Sequence, residues 1–278
     1  IESSEIGTIG VGEATIPGIR QTLSELGIDE KSFMKSCSAT FKQAIKFVDW
    51  VETPTKDKSS YFYHNFSEPL KAGPETYAPY WILDKDEDKR DYAYASTIQS
   101  QLCDQHLAPK RIGDKDYTGP MHYAYHFDAG QLTQVLMSHA QKKGVNRLIG
   151  NVIETVLDDD GGIAMLKTKE HGDLVADLYI DCTGFAGHII GKSLGSEFKN
   201  VNDVLFVDSA VAAMVKYEEE GTPLPVSTIS TAKEAGWIWD IALSDRRGTG
   251  YVFSSKYTNK ERAEEVLAQY LGKDINEL

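Results

Sequence analysis

The glycine-rich segment GTIGVGEATIP near the start of the chain restricts the fold more than any other stretch of the sequence. Gly7, Gly10 and Gly12 allow the backbone to approach a ligand closely, because glycine carries no Cβ atom. Pro17 suits the first turn of a helix that ends at Gly27, and the free N–H groups of that turn would lie nearby. The segment therefore suits a cofactor. An ordinary tight loop is the alternative, because the third glycine of the dinucleotide-binding fingerprint is missing.

A second constraint comes from SATFKQAIKFVDW, positions 38–50, which alternates in the manner of a β-strand. The alternation places Lys42 and Lys46 on one face together with Val48 and Trp50. The ordinary interpretation is a half-exposed strand with solvated cations. The other is a lysine held inside a cavity to do chemistry, where burial would lower its pKa towards the neutral, nucleophilic amine.

Helices and strands are predicted along the rest of the chain. Asp128 can cap a helix that ends at Gly144. The residues beyond it predict a β-meander of four strands with a turn at 160–162, and further strands are expected at 203–217 and 225–254. Other helices are predicted at 29–36, around 91–107, and after a capping box formed by Thr258 and Glu261.

The segment ADLYIDCTG ends the predicted meander as a buried strand, so Cys182 is expected to be buried. Asp181 and Gly184 lie where this strand turns into a loop. In flavoproteins with two dinucleotide-binding strands, a strand that ends in a Thr-Gly turn lets the chain pass close to the cofactor. A purely structural turn is the alternative, because a glycine at a strand end has many uses.

Composition excludes several classes of function. With 278 residues and 41% apolar content, the chain can bury a sizeable core in one large or two ordinary domains. A net charge of −13 argues against nucleic-acid binding and favours a small or apolar substrate. No run approaches the ~18 apolar residues of a membrane helix, so a cytoplasmic protein is expected. The three cysteines lack ligand spacing and indicate reduced thiols rather than disulfides or a zinc site.

Aromatic residues at two-residue spacing are candidate binding groups. His64 and Phe66 would share a face of a short strand and offer two flat rings to an aromatic guest. Trp237 and Trp239 share a strand face in the same way, and core packing is the ordinary explanation for both pairs. Glu2 stands at a strand end, where nucleotide-binding folds place the acid that binds the adenosine ribose, although a surface glutamate is the simpler interpretation.

Six motifs occur together in one order: GVGEATIP, FKQAIKFVDW, YHNF, YAYHFDA, LYIDCTGFAG and GWIWDIALSDRRGTGYV. In this combination the chain resembles the flavin-dependent halogenases of the tryptophan halogenase type, over nearly its whole length. The resemblance implies an α/β, FAD-binding, doubly wound fold of the two-dinucleotide-binding-domain, monooxygenase-like class, with mixed and antiparallel sheet in a substrate region. It further implies one halogenase-like unit, with an FAD module from roughly 1–40 and 128–195 and a substrate region from roughly 41–127 and 196–278.

The resemblance also implies a reaction. Reduced FAD (FADH2), supplied by a separate flavin reductase, and O2 would convert chloride or bromide into hypohalous acid, which is channelled to a catalytic lysine aligned with Lys42. His64 and Phe66 would hold an indole or tryptophan-like ring, and the pair Trp237 and Trp239 would separate this substrate from the flavin. Ala242 stands where the family signature has proline, which leaves the identity of the substrate open.

Cofactor contacts are implied for nine residues: Glu2, Gly10, Gly12, Glu13, Ala14, Thr15, Val152, Asp181 and Gly184. No metal is required, and a homodimer is compatible with the resemblance. The chain is expected to be incomplete at both ends and inactive alone, because the catalytic glutamate and the halide-binding turn of the family are missing from it. An aromatic monooxygenase of the same fold and a catalytically inactive FAD-binding homologue remain the alternatives.

Overall fold

In a computed structural model of the chain, which describes residues 1–55 and 59–275, the polypeptide divides into two compact units. The first comprises Ile1–Thr8 and Leu136–Val204, and the second comprises Ile9–Val135 and Leu205–Leu278. These units are defined by packing. The division into an FAD module and a substrate region, which was inferred from the resemblance, stays a prediction.

The described residues include fourteen strands and seven α-helices. The strands are β1 (Glu13–Ala14), β2 (Thr40–Lys42), β3 (Ala44–Val48), β4 (Tyr61–Asn65), β5 (Lys71–Ala72), β6 (Glu75–Thr76), β7 (Ala124–Phe127), β8 (Val152–Leu157), β9 (Ile163–Thr168), β10 (Gly172–Leu174), β11 (Ser209–Lys216), β12 (Ser227–Lys233), β13 (Gly236–Ala242) and β14 (Arg246–Phe253). The helices are α1 (Gly18–Leu26), α2 (Glu30–Ser36), α3 (Ala78–Leu83), α4 (Tyr92–Ser96), α5 (Gln99–Asp104), α6 (Ala129–Lys142) and α7 (Lys260–Leu271). Among the described residues, no helix is both long enough and apolar enough to cross a membrane.

A six-stranded sheet dominates the second unit, in the order β11-β14-β13-β12-β3-β4. Its pairs are antiparallel except for β12 and β3, which run parallel. Because side chains alternate along a strand, Ile238, Tyr251 and Phe253 all point to one face, where they pack against Val266 and Leu267 of α7. The opposite face is described with the candidate site.

A smaller sheet in the same unit has the order β1-β7-β2. One of its faces buries aromatic side chains against α1 and α2, with Phe33 in edge-on contact with Tyr125 and Phe127 at ring-centroid distances of 5.1 and 5.7 Å. The predicted end of the first helix at Gly27 is confirmed, with φ of 74° at this residue. Asp29 caps α2 by accepting a hydrogen bond from the Ser32 amide.

The strand predicted over positions 38–50 is broken at Gln43, and its two parts belong to different sheets. The amide of Gln43 donates to the carbonyl oxygen of Val226, and its own carbonyl oxygen accepts from the Phe66 amide. The prediction that Lys42 and Lys46 share a face of one strand is therefore wrong. Hydrogen bonds from outside the strand turn the chain at Gln43, although the alternation of the sequence continues through it.

The first unit contains the antiparallel sheet β10-β9-β8. The predicted fourth, buried strand of this meander is absent among the described residues: Leu178 and Ile180 are 75% and 77% exposed, and Cys182 is exposed as well. The backbone there bonds to nearby side chains instead, because the amide of Ala176 donates to the Tyr179 hydroxyl. Such local side-chain bonds compete with strand pairing.

Helix boundaries differ from the predictions at two places. The helix expected around 91–107 is two short helices, α4 and α5, separated by Thr97 in an extended conformation. The cap of α7 is Asn259, whose side chain accepts a hydrogen bond from the Arg262 amide, and not Thr258. Asparagine and threonine both cap helices, so the sequence alone did not decide between the neighbours. Asp128 caps α6 as predicted, by accepting from the Gln131 amide.

Candidate functional site

Lys42 lies at the end of β2, and its side chain is only 4% exposed. Its Nζ atom is 5.3 Å from the centroid of the Phe66 ring. Phe66 follows β4 directly and is fixed by the hydrogen bond from its amide to the carbonyl oxygen of Gln43, 3.0 Å away. The predicted lysine and one of the two predicted aromatic rings are thus neighbours, although 24 positions separate them in sequence.

The electrostatic surroundings of Lys42 are unusual for a buried cation. Within the described part of the chain, Nζ has no hydrogen-bond acceptor and no carboxylate partner. Burial lowers the pKa of Lys42 to about 8, because the charged form loses hydration that no carboxylate or hydrogen-bond acceptor among the described residues replaces. A substantial share of the side chains is therefore the neutral amine at slightly basic pH, and that form is a nucleophile.

Lys46 provides the contrast. It lies in β3, opposite Tyr63 of β4, and its Nζ is 3.9 Å from the centroid of the Tyr61 ring. A cation over an electron-rich ring makes a favourable electrostatic contact. This contact gives Lys46 a structural role in the sheet.

His126 is a buried residue of this region that the sequence analysis did not single out. It lies in β7 with no exposed surface, and it contacts the hydroxyl oxygens of Thr40 through Nδ1, at 3.3 Å, and of Thr228 through Nε2, at 2.9 Å. Burial and the nearby charge of Lys42 lower the pKa of His126 to about 3. Alternation within the motif YAYHFDA places His126 on the side of β7 opposite to the buried Tyr125, but it does not indicate the two threonine partners.

The face of the six-stranded sheet that points away from α7 is rich in aromatic residues, and we call it the aromatic face. His64 and Phe62 of β4 lie on it, and the Phe62 ring stacks on Phe47 of β3 at a centroid distance of 5.1 Å. Trp237 and Trp239 of β13 lie on the same face, 6.5 Å apart. The prediction that the two tryptophans share a strand face is confirmed, and the register places His64 on that face too.

Two glycines of β14 make room for groups packed on the aromatic face. The Trp239 ring lies over Gly250, where any Cβ atom would overlap it. Val11 and Gly12 of the glycine-rich segment lie against Gly248, where a Cβ atom would overlap the Val11 carbonyl oxygen and come 3.3 Å from the Gly12 Cα. A glycine inside a strand commonly marks such a close approach.

The glycine-rich segment itself has the properties of a cradle for a polar ligand. Gly12 has φ of 131°, which L side chains rarely adopt, and a Cβ atom at Gly10 would come 2.8 Å from that of Ala129. Among the described residues, the backbone N–H groups of 9–12 find no acceptor elsewhere in the chain. Unpaired amides on a backbone without bulky side chains fit a cofactor with polar or anionic groups.

The three residues after this cradle are tied to the protein. Glu13 and Ala14 form β1 and pair with Phe127 and His126 of β7. The Thr15 hydroxyl accepts from the Tyr125 amide and donates to the Tyr125 carbonyl oxygen, 2.8 Å away. The Thr15 hydroxyl therefore anchors the segment both as a donor and as an acceptor.

Four predicted cofactor residues belong to the first unit. Glu2 forms a parallel bridge with Ile149, and its carboxylate is paired with the Arg147 guanidinium while remaining half exposed. Val152 begins β8. Glu2 thus lies in an isolated bridge and not at the end of a strand among the described residues, and its cofactor contact stays a prediction.

Asp181 organises the turn that contains Gly184. Its carboxylate accepts hydrogen bonds from the Thr183 hydroxyl and amide and from the Ile189 and Ile190 amides. These bonds, that of the Thr183 hydroxyl first, lower the pKa of Asp181 far below its usual range. The carboxylate is fully engaged within the chain, so any contact of this turn with a ligand would come from its backbone. Gly184 is exposed and has φ of 61°.

Comparison with known proteins gives one family along the whole chain. The family model described as tryptophan halogenase matches residues 1–278. Among curated proteins, the tryptophan 6-halogenase SttH of Streptomyces toxytricini is 36% identical, and the match covers 98% of this chain and 55% of that protein.

Solved structures give the same result. The crystal structure of a tryptophan halogenase from Shewanella frigidimarina matches with a TM-score of 0.94 at 38% identity, covering 99% of this chain and 53% of that one. Xcc4156, a flavin-dependent halogenase from Xanthomonas campestris, matches with a TM-score of 0.87 at 32% identity, over 98% of this chain and 53% of that one. The chain thus spans about half the length of these relatives.

Proposed function

The chain belongs to the tryptophan halogenase family, and from this premise we propose that the complete protein is a flavin-dependent halogenase acting on an electron-rich aromatic ring. An indole or a tryptophan-like compound is the substrate class that the relatives suggest. The family resemblance drawn from the motifs is thereby confirmed, as is a mixed α/β fold like that of halogenase structures. The finer arrangement, a doubly wound FAD module and a separate substrate region, stays a prediction.

The observation that carries the proposal is the buried Lys42 side chain, whose amino group lies beside the Phe66 ring and has no carboxylate or hydrogen-bond partner among the described residues. A lysine without a carboxylate partner is costly in a folded protein, so it survives where its reactivity is used. As an amine, Lys42 would take the halogen from hypohalous acid with release of water, or would hydrogen-bond the intact acid. In the first case the aromatic carbon gains the halogen and its proton returns to the amine; in the second the proton leaves with the oxygen as water. The lowered pKa supplies the required form near neutral pH.

The substrate ring would be held by His64 and Phe66. Flat rings bind a flat aromatic guest through stacking and edge contacts, and a ring held close to Lys42 exposes one carbon to the halogen. Orientation of this kind governs which carbon reacts. Trp237 and Trp239, on the same sheet face as His64, would keep the substrate away from the cofactor.

The implied cofactor is FAD, which enters as FADH2. When bound, it supplies with O2 the oxidising equivalents that turn a halide ion into hypohalous acid. The cradle around Gly10 and Gly12 would hold its polar groups through backbone amides that have no acceptor among the described residues. The contacts that the resemblance implies for Glu2, Val152, Asp181 and Gly184 of the first unit stay predictions.

The remaining partners follow from the same proposal. A separate flavin reductase would deliver the reduced cofactor, with O2 and chloride or bromide as co-substrates. A cytoplasmic location and a homodimer stay predictions.

The decisive experiment uses the complete protein with a flavin reductase, FAD, each halide and a panel of indoles, read by mass spectrometry. We expect products heavier by one halogen. Lys42→Ala should still bind FAD and consume reduced flavin and O2 while losing halogenated product by at least about a hundredfold. Lys46→Ala is the matched control and should retain product formation, because that cation packs on Tyr61.

Other results would change the assignment. Halogenated product that persists in Lys42→Ala contradicts the role of the amine. Oxygenated product without halide dependence would favour an aromatic monooxygenase of the same fold. FAD binding without turnover of any substrate in the panel would favour a catalytically inactive homologue.

A further inference from the structure

His126 shares a sheet face with Lys42. In the pairing of β2 with β7, Lys42 lies opposite Ala124 and Thr40 lies opposite His126. Directly paired residues point to the same side, and positions two apart on a strand do so as well. The side chains of Lys42 and His126 therefore project from one face of the small sheet, away from the core that buries Tyr125.

The hydrogen bonds around His126 assign its tautomer. The Thr40 hydroxyl donates its single proton to the Ala242 carbonyl oxygen, 2.5 Å away, so it can only accept from the imidazole. Nδ1 must then carry the proton. Nε2 is left as an acceptor, and the Thr228 hydroxyl donates to it.

This arrangement joins the small sheet to the large one. Thr40 belongs to β2, His126 to β7 and Thr228 to β12, while Ala242 ends β13. The strand that carries Lys42 is thus tied to two strands of the six-stranded sheet by hydrogen bonds of fixed direction. None of the groups in this chain of bonds carries a charge.

The charge of Lys42 acts on His126, because it contributes to the lowered pKa of that imidazole. The lowered pKa of Lys42 itself has burial as its cause. A protonated imidazole would repel the ammonium group, and a mobile imidazole would admit water. The fixed, neutral ring does neither.

We infer that His126 is a positioning residue for Lys42. Held as an Nδ1-protonated imidazole between Thr40 and Thr228, it fixes the strand that carries the lysine. It also keeps the surface beside the amine uncharged and free of water. The inference rests on the proposed function of Lys42. A purely structural core histidine would hold the sheets together without affecting how Lys42 ionises.

The first test measures the ionisation of Lys42 directly. The complete protein is labelled with acetic anhydride over a range of pH, and mass spectrometry follows acetylation at Lys42, with Lys46 as the internal reference. In His126→Asn the amide can still donate to Thr40, but the smaller side chain leaves a polar cavity beside the amine. We expect the Lys42 titration to move up by about one unit, which lowers its amine fraction at pH 7 about tenfold.

The second test keeps the histidine and changes its partner. Thr228→Val removes the donor to Nε2 at nearly constant volume, whereas Thr228→Ser preserves it. We expect Thr228→Val to lower the kcat for halogenation several-fold with KM little changed, and its pH–rate profile to shift on the acid side. Thr228→Ser should behave like the unmodified protein.

The inference is overturned if a folded His126→Asn variant leaves the Lys42 titration unchanged, or if Thr228→Ser is as impaired as Thr228→Val. The labelling curve needs no turnover, so it tests His126 even if the complete protein halogenates none of the compounds offered. A failure of the proposed function is therefore distinguishable from a failure of this inference.

Discussion

The indole ring of Trp239 lies across Gly250 of the neighbouring strand, in space that any larger residue would fill. A methyl group at Gly250 would overlap the Cη2 and Cζ2 atoms of the ring and the Val211 carbonyl oxygen. The position of the tryptophan therefore depends on the absence of a side chain in β14. This relationship links a signature aromatic residue to a glycine that has no chemistry of its own.

Gly250→Ala should destabilise the protein by about 1–3 kcal/mol, because overpacking forces the ring and the strand apart. In a Trp239→Ala background, the same substitution should cost at least about 1 kcal/mol less, since the ring is no longer there to be displaced. Urea unfolding of the four proteins of this double-mutant cycle measures the difference. Strictly additive effects would show that Trp239 does not rest on Gly250.

Gly248→Ala should weaken FAD binding at least about tenfold, because the added methyl group would push Val11 and Gly12 off the sheet. Gly236→Ala is the matched control. A methyl group there overlaps the Val252 carbonyl oxygen in the same sheet but touches no part of the glycine-rich segment. Titration of each variant with FAD measures the two affinities. An equal loss of FAD affinity in both variants would show that Gly248→Ala acts by general destabilisation and not through the glycine-rich segment.

The parts of the site that the sequence predicted are those that a local pattern specifies. Alternation with a period of two was enough to place Trp237 and Trp239 on one face, and a capping residue was enough to begin α6 after Asp128. The assignment of Lys42 came from a motif resemblance, and the structure adds its burial and its contact with Phe66.

The parts that could not be predicted depend on distant partners. The alternation of residues 38–50 gives no sign of the break at Gln43, because the bonds that cause it come from Val226 and Phe66. ADLYIDCTG has the composition of a buried strand, yet burial requires a neighbouring strand, and side-chain bonds of Tyr179 organise part of this stretch instead. His126 was missed because a single histidine in an apolar strand gives no local signal of its two threonine partners.

Lys42→Met should raise the free energy of unfolding at pH 7, even though it abolishes the proposed chemistry. The pKa of Lys42 falls from its ordinary value of 10.5 to about 8 on folding. Below pH 8 the folded protein therefore carries the full cost of a buried cation, about 3 kcal/mol, which the uncharged methionine avoids.

The advantage of Lys42→Met should shrink as the pH rises from 8 to about 10, because the unfolded chain binds more protons than the folded one in that interval. Chemical unfolding at several pH values measures this difference in the free energy of unfolding between Lys42→Met and the unmodified protein. Lys46→Met is the control and should show no such gain, since the Lys46 cation packs over Tyr61. A Lys42→Met variant that is less stable than the unmodified protein at pH 7 would contradict the burial of an unpaired charge.

Acid should destabilise the protein through His126. Because burial holds the pKa of His126 near 3, the folded protein leaves it neutral at pH 5, whereas the unfolded chain protonates it below about pH 6.5. The unfolded state then binds the extra proton, and stability falls by about 2 kcal/mol between pH 7 and pH 5. His126→Asn has no group to protonate at this position, so its stability should fall less over the same interval, although its stability at pH 7 is lower.

His64→Asn is the control. The His64 ring is exposed, so its removal should leave the loss of stability the same as in the unmodified protein. Urea unfolding midpoints at the two pH values give the comparison, and parallel losses in all three proteins would mean that His126 is protonated in the fold.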